Sequence, residues 1–571
     1  MTTSTLPATK PRLAWLSTER LAYLLLALVP TLVRIMHLGA RALAPAEAHT
    51  ALRAWQQAHG LHPALDAGSP LLFSLQTLSF FVADGSDALA RAWPLLAAGA
   101  LPLTFYLMRQ RLGRSTALIA ATLVTLSPLV NAFARRSDPT SFALLAAGLA
   151  LAGWFRWQDE QPHGSALLLS GIALAFLSGP GGFSVLLALA AFLLLAQLEN
   201  PQQRLRLSAR SAQPALILLL AGGAAFLTRF DTLGLSAINL SQWLADFSLA
   251  PKHLLFGFIR MAADEPVLSL FGLLAVIWGV RRGGMSRALS IAAGISALLA
   301  ILHGPDASYS RAVAAFFLTL PTARLLDHWR QQHAFSFRSL EQILLTAVIF
   351  LLAFLTVYAL MTFAHTSSPQ FKLLFLLTDL MGVIVIAIFI WFIGWPEVRN
   401  ALIISALSLS LLFGAGMAWA LAFNHTLPTL ARVTPTETLP AMQSLVQTIG
   451  DISQHNTGDR HATAIALIPG TPADDVIQWY LRDAAQLDVT PNVNLQDPPP
   501  IILAPPQAAP ALGDTYAGQS RGLSTDWGLK DIQTLNQAIT WFFQRRAPFP
   551  PPTHDTIQLW VRLDHLSLNQ H

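Results

Sequence analysis

The sequence predicts a polytopic α-helical membrane protein that ends in a small α/β domain, and three observations predict it. Of 571 residues, 53 % are apolar and only 12 % are charged, half the roughly 25 % charge of a soluble chain. The apolar residues fall into many runs of about 20, the length that crosses a hydrocarbon core. Beyond residue 424 Pro, Asp, Gln and Thr rise, and no run there is long enough to span. The chain has no cysteine, which excludes disulfides, thiolate nucleophiles, Cys zinc sites and iron–sulfur clusters. Its net charge of +5, from 36 bases and 31 acids, reads as a by-product of membrane topology, and no nucleic-acid partner is expected.

The first span follows Lys10, Arg12 and Arg20 and is closed by Arg34, His37 and Arg41. A cleaved signal peptide would need small residues there, so the span reads as retained. Further spans fall near 91–108, 115–132, 140–157, 165–178, 183–198, 213–230, 266–280, 288–302, 309–326, 343–363, 371–393 and 401–422. That gives about thirteen transmembrane helices within a domain of residues 1–423. With the N-terminus cytoplasmic, the inner turns hold twelve arginines: Arg109, Arg111, Arg114, Arg204, Arg206, Arg210, Arg281, Arg282, Arg287, Arg324, Arg330 and Arg338. The outer loops hold six bases: Arg41, Arg53, Arg135, Arg136, Lys252 and Arg260. This asymmetry fits the positive-inside rule for a multi-pass protein of the cell membrane.

Two outer loops, 39–90 and 231–265, are long. The first contains Ser69–Ala83, too short to span and suited to a surface or re-entrant helix. The odd number of spans places residues 424–571 outside as an α/β domain. Strands are expected at Ala462–Ile468, Ile501–Ala504 and Ile557–Leu563, with helices at Asp474–Ala485 and Leu535–Arg545. The Pro-rich stretches 498–510 and 548–552 read as loops. No internal repeat of the secondary-transporter kind is present.

Two acids stand on the outer side early in the chain, Glu47 and Asp138. Singly, Glu47 reads as a first-turn helix acid after Pro45, and Asp138 as the N-cap of an Asp-Pro helix start. Together they form a set, because His49 and Arg53 flank Glu47 while Arg135 and Arg136 flank Asp138. A carboxylate in a partly dry cleft suits taking a proton from an acceptor hydroxyl. Guanidinium groups clamp phosphate oxygens and stabilise a leaving phosphate. His303, in His303-Gly304-Pro305-Asp306 at the outer end of the ninth span, offers either a phosphate or sugar contact or a plain Gly-Pro turn. No His/Asp/Glu spacing suits a metal, and no cofactor is expected.

At these residues the chain resembles the GT-C membrane glycosyltransferases related to protein O-mannosyltransferases and lipid A aminoarabinose transferases (family 39), closest to a bacterial and archaeal surface-glycosylation branch. The resemblance rests on the acidic first outer loop, Gly68-Ser69-Pro70, Ala90-Arg91 opening the second span, the basic turn around Arg109–Arg114, Leu126-Ser127-Pro128, and Arg135-Arg136-Ser137-Asp138-Pro139. In the tail, Trp479-Tyr480-Leu481-Arg482 and the closing Leu559-Trp560-Val561-Arg562 resemble that branch's outer domain. It implies a polyprenyl-phosphate-linked sugar donor and an inverting transfer to a protein or glycan acceptor at the outer membrane face. It also implies a catalytic acid in the first loop. Ala46 stands where that family usually has Asp, leaving Glu47 for the role. Ser178–Gly182 replaces a Lys-Glu pair common in the closest branch. The expected roles are therefore Glu47 and Asp138 as catalytic carboxylates, Glu47 taking the acceptor's proton and Asp138 orienting the acceptor, with His49, Arg53, Arg135, Arg136 and His303 on the substrate. The alternative is a catalytically degenerate relative that binds a lipid-linked sugar or scaffolds a glycosylation assembly.

Overall fold

The computed structural model describes residues 17–199, 209–332, 340–423, 436–493, 498–508, 512–526, 531–544 and 552–565. Lys10, Arg12, Arg204, Arg206, Arg338 and the Pro-rich run 548–551 lie outside them. The chain begins with α1 (Thr18–Ile35), then two helices of the first long loop, α2 (Pro45–Ala58) and α3 (Pro70–Ala83). There follow α4 (Asp87–Leu112), α5 (Arg114–Leu126), α6 (Pro128–Ala134), α7 (Thr140–Gln158), α8 (Gly164–Phe176), α9 (Pro180–Glu199) and α10 (Ala209–Gly223). The second long loop forms α11 (Gly234–Ala245) and α12 (Pro251–Asp264). A π turn, Leu268–Gly272, leads into α13 (Leu273–Arg282), and α14 (Gly284–Leu302), α15 (Ser308–Gln331), α16 (Leu340–Thr366), α17 (Pro369–Phe392) and α18 (Trp395–Phe423) complete the bundle.

All thirteen expected runs fall on helices. By length and hydropathy six of these, α4, α9, α14, α16, α17 and α18, are able to cross a membrane, or eight if each bent pair is one span. The thirteen-span expectation exceeds that count because α8 and α10 are short, while α1, α7 and α15 carry more polar residues. The bent pairs are α5–α6 at 59° and α12–α13 at 114°. Pro128 explains the first break, since its ring cannot continue α5 and suits the start of α6. Ser127 caps α6 by accepting from the Val130 amide at 3.2 Å. Glycines let α7 and α8 touch backbone to backbone. A Cβ on Gly153 or Gly171 would stand 2.2 or 2.5 Å from the facing backbone nitrogen.

The basic turns gather at one end of the bundle. There Arg109 pairs with Glu19 at 3.5 Å, Arg111 with Asp159 at 2.5 Å and Arg330 with Asp327 at 2.9 Å, and Arg330 also reaches Ser115 at 3.1 Å. The tail lies at the opposite end. Its elements are β1 (Thr436–Thr438), α19 (Ala441–Thr457), β2 (Ile465–Leu467), α20 (Asp474–Tyr480), β3 (Leu487–Val489), β4 (Ile501–Ala504), β5 (Tyr516–Gly522), β6 (Ser524–Asp526), α21 (Leu535–Gln544) and β7 (Thr556–Arg562). Five strands form a sheet in the order β3-β2-β4-β7-β5, parallel from β3 to β4 and antiparallel around β7. β1 and β6 pair separately. The three expected strands are β2, β4 and β7, three neighbours in this sheet.

The tail has a small core of its own on one sheet face, Ala466, Ile468, Ile502, Ala504 and Tyr516, and shares its larger core with the first long loop. One apolar cluster joins Leu43, Ala48, Leu52, Phe73 and Phe80 of the first long loop to Met442, Leu445, Ile477, Trp479 and Ile501 of the tail. α21 lies against the helical bundle: Trp541 packs on Ala263 of α12, and Phe542 stacks on Phe413 of α18 with rings 6.2 Å apart.

Candidate functional site

Where the first loop, the start of α4 and the α6–α7 junction meet, the sequence concentrates charge in a dry place. Pro45 opens α2, and Glu47 falls in its first turn, where its carboxylate accepts from the Ala44 amide at 2.9 Å. The same carboxylate receives both forks of Arg91, Nε at 3.2 Å and Nη2 at 3.0 Å, and the Ser137 amide at 2.6 Å. Glu47 is 4 % exposed and Arg91 2 %. Burial alone would raise the Glu47 pKa, but the charges of Arg91 and Arg136 and the Arg91 hydrogen bond bring it well below the usual carboxylate range. Arg91 uses its remaining donors on the carbonyls of Leu38, Arg41 and Ala42, at 3.0, 2.8 and 3.2 Å. This one ion pair therefore ties α2, α4, the chain after α1 and the α6–α7 junction together.

Asp138 follows directly on Ser137, so the structure brings the two sequence-selected acids to one junction. It is half-buried, and its Oδ1 accepts from the Thr140 amide at 2.8 Å at the start of α7. Burial raises its pKa above the ordinary value, against the lowering effect of the Thr140 bonds and of Arg136. The two carboxylates are thus shifted in opposite directions: four donors hold Glu47 as an anion, while burial raises the pKa of Asp138.

The arginines divide similarly. Arg135 donates to the carbonyls of Arg34, Met36 and His37 at 2.7, 2.9 and 3.2 Å. It thereby satisfies acceptors that the end of α1 leaves without helical partners. Arg136 and Arg41 instead converge on one carboxylate, Glu437 of β1, at 3.5 and 2.5 Å. His49 and Arg53 turn to the tail. His49 Nδ1 lies 2.7 Å from Asp475 of α20 and its Nε2 3.0 Å from Asp66, and Arg53 lies 3.6 Å from Asp475.

The Asp475 hydrogen bond raises the His49 pKa despite burial. A raised folded-state pKa contributes stability fully below the unfolded value of about 6.5 and loses it as pH climbs through the raised value. The thermal midpoint of the wild type is therefore expected to fall as pH rises from the unfolded value through the raised one, and His49→Gln to flatten that slope. An unchanged slope in the variant would remove His49 from tail docking.

His303 is not part of this junction. Its Nδ1 lies 2.5 Å from Ser310, and its ring packs among Trp243, Phe247 and Tyr309. Sequence reasoning missed Glu437 and Asp475, which sit in polar stretches of the tail, and Gln76 of α3. Gln76 donates to Ser137 Oγ at 2.6 Å and to the Ala90 carbonyl at 2.8 Å. Arg91 was visible only as part of a motif, although a guanidinium near the start of an apolar helix is itself a signal. Among the described residues no group of three His, Asp or Glu is placed to hold a metal ion.

No family model and no curated protein matches the chain. Among solved structures, ArnT from Cupriavidus metallidurans in the apo state aligns with a TM-score of 0.53 at 12 % identity, over 85 % of this chain and 93 % of that one. The same protein bound to undecaprenyl phosphate aligns with a TM-score of 0.50 over the same shares. An Archaeoglobus fulgidus oligosaccharyltransferase in the apo form aligns with a TM-score of 0.47 at 12 % identity, over 83 % of this chain and 65 % of that one. The chain therefore has a GT-C-type membrane fold, the architecture it shares with ArnT.

Proposed function

We propose that this protein is an integral membrane glycosyltransferase that moves a sugar from a polyprenyl-phosphate donor to an acceptor, with inversion, at the face that carries the tail. In this reading the end holding the basic turns faces the cytoplasm, and residues 424–571 lie outside. The observation that carries it is Asp138: a half-buried carboxylate with a raised pKa, one residue from the Glu47–Arg91 pair and beside Arg136. An acceptor oxygen attacks the anomeric carbon as its proton passes to Asp138. The bond from that carbon to the phosphate oxygen breaks, and the polyprenyl phosphate leaves with its charge met by guanidinium groups.

The geometry supports a different division of labour from Glu47 as base and Asp138 as orienting group. Glu47, saturated by four donors, is a poor base and acts as the anchor that sets the Ser137 amide and hence Asp138. Arg41 and Arg136, which grip the Glu437 carboxylate, suit the donor phosphate, for which Glu437 is a competing anion. Arg135 holds the end of α1, while His49 and Arg53 hold the tail in place.

A second reading, a non-catalytic binder of lipid-linked sugar, is favoured by Ala46, whose methyl group offers no chemistry, together with the locked state of Glu47. Mass spectrometry of lipids that co-purify in mild detergent tests the donor site, comparing wild type with Arg41→Ala/Arg136→Ala. A polyprenyl-phosphate sugar is expected in the wild type and depleted about tenfold or more in the variant, since each charge-assisted bond contributes about 1.5–3 kcal/mol. Bulk phospholipid alone, equal in both, would overturn the donor site. Donor retained without turnover would select the binder.

A further inference from the structure

The tail contains a cavity of about 300 Å³ between α19 and the end of α20, with Tyr480 in its wall. That volume is at the lower end of small-molecule sites, about 300–1,000 Å³. Its floor is apolar, built by Val446, Ile449 and Ile465. Its polar groups suit a neutral polyhydroxyl ligand. Thr463, 4 % exposed, lines the cavity, and its buried hydroxyl has no hydrogen-bond partner among the described residues.

Gly450 sits in the middle of α19, where glycine costs about 1 kcal/mol relative to alanine. Its missing side chain leaves room for the Arg460 guanidinium, whose Nε lies 3.2 Å from where a Cβ would stand. That places Arg460 at the cavity, half exposed and paired at 2.7 Å with Asp451, which stands outside the lining. With its charge met by Asp451, the Arg460 guanidinium offers donors that match hydroxyls better than a phosphate or carboxylate. Tyr480 supplies a ring to the wall while its hydroxyl is committed elsewhere, donating to Asp87 at 2.5 Å and accepting from the Leu43 amide at 2.9 Å. Leu43 adjoins Ala44, whose amide holds Glu47.

We propose that this cavity binds a single sugar residue, its C–H face on the apolar floor and its hydroxyls on Thr463 and Arg460. That the bound sugar belongs to the acceptor rests on the transfer reading above; sugar binding itself does not. The wall shared with the first loop then sets the acceptor beside the candidate site.

The test is saturation-transfer difference NMR on the full chain in a sugar-free zwitterionic detergent, with glucose, mannose, galactose and N-acetylglucosamine as separate probes. At least one probe is expected to show transfer to its ring C–H protons. Gly450→Leu should fill the cavity and abolish it. Thr463→Val removes a hydroxyl that has no partner, so the thermal midpoint should hold while the sugar's apparent affinity falls about fivefold, as for one neutral hydrogen bond. Silence from all four probes, or signals unchanged in both variants, would overturn the proposal. Because no donor lipid enters the experiment, its failure leaves the lipid measurement unaffected, and the reverse also holds.

Discussion

Arg91→Ala is expected to destabilise the protein by about 3–5 kcal/mol or more, the cost of leaving a buried charge without its partner. The variant strands Glu47, which is 4 % exposed, and also removes the donor to the carbonyls of Leu38, Arg41 and Ala42. Glu47→Gln should cost a similar amount from the other side, because a single amide oxygen cannot match both forks of Arg91. Arg91→Lys should recover only part of the loss, since an ammonium is a point charge without the planar fork. The pH dependence has a definite sign. The folded-state pKa of Glu47 is depressed, so its contribution is full above the unfolded value of about 4.3 and is lost as pH falls toward the lowered folded value. Unfolding midpoints in detergent check all three variants. A Glu47→Gln protein as stable as wild type, yet inactive, would return Glu47 to a direct chemical role.

Much of the helical plan is legible because its cause is local. Runs of about twenty apolar residues need no partner to be recognised, but the span expected at 115–132 is broken at Ser127-Pro128 by a 59° bend, because the proline ring cannot continue α5. The second bend was half legible. Asp264-Glu265-Pro266 reads as a helix start, and a helix does follow, but the acids serve other elements, one earlier and one later in the chain. Glu265 accepts from the Leu129 amide of α6 at 3.0 Å, and Asp264 receives Arg311 of α15 at 3.1 Å.

What stayed hidden depends on residues far apart in the chain. Glu437 meets Arg41 and Arg136, and Asp475 meets His49, across several hundred residues that no local pattern connects. In the tail these acids look like solvated surface. The shared core of the first loop and the tail is hidden for the same reason, because Leu52 and Ile477 each look like an ordinary buried apolar residue. Arg135 is the instructive case. Adjacent to Arg136 in sequence, it resembles one half of a phosphate clamp, but the unsatisfied carbonyls at the end of α1 claim its guanidinium. Only the packing of α1 against the α6–α7 junction decides which arginine is committed to structure.

Asp138→Asn is expected to lower sugar transfer by about 10²–10⁴-fold, the range for loss of a positioned general base, with donor lipid still co-purifying. The substitution isolates the proton. Asn keeps an oxygen able to accept from the Thr140 amide, now 2.8 Å from Asp138, and is a good residue at a helix start, so the junction should fold as before. The expected pH profile follows from burial. A base must be ionised to act, and the Asp138 pKa is raised, so the acidic limb of the rate profile should lie above the ordinary carboxylate range and rise with pH through that value. In the Asn variant the residual rate should lose that limb. Glu47 makes a different prediction on the same axis: as a depressed carboxylate it is ionised throughout the working range and contributes no limb near neutrality. An acidic limb that persists in Asp138→Asn, or turnover near the wild-type rate, would place the base elsewhere. The position of the limb thus separates the two carboxylates in one experiment, because the packing that saturates Glu47 leaves its neighbour Asp138 able to take a proton.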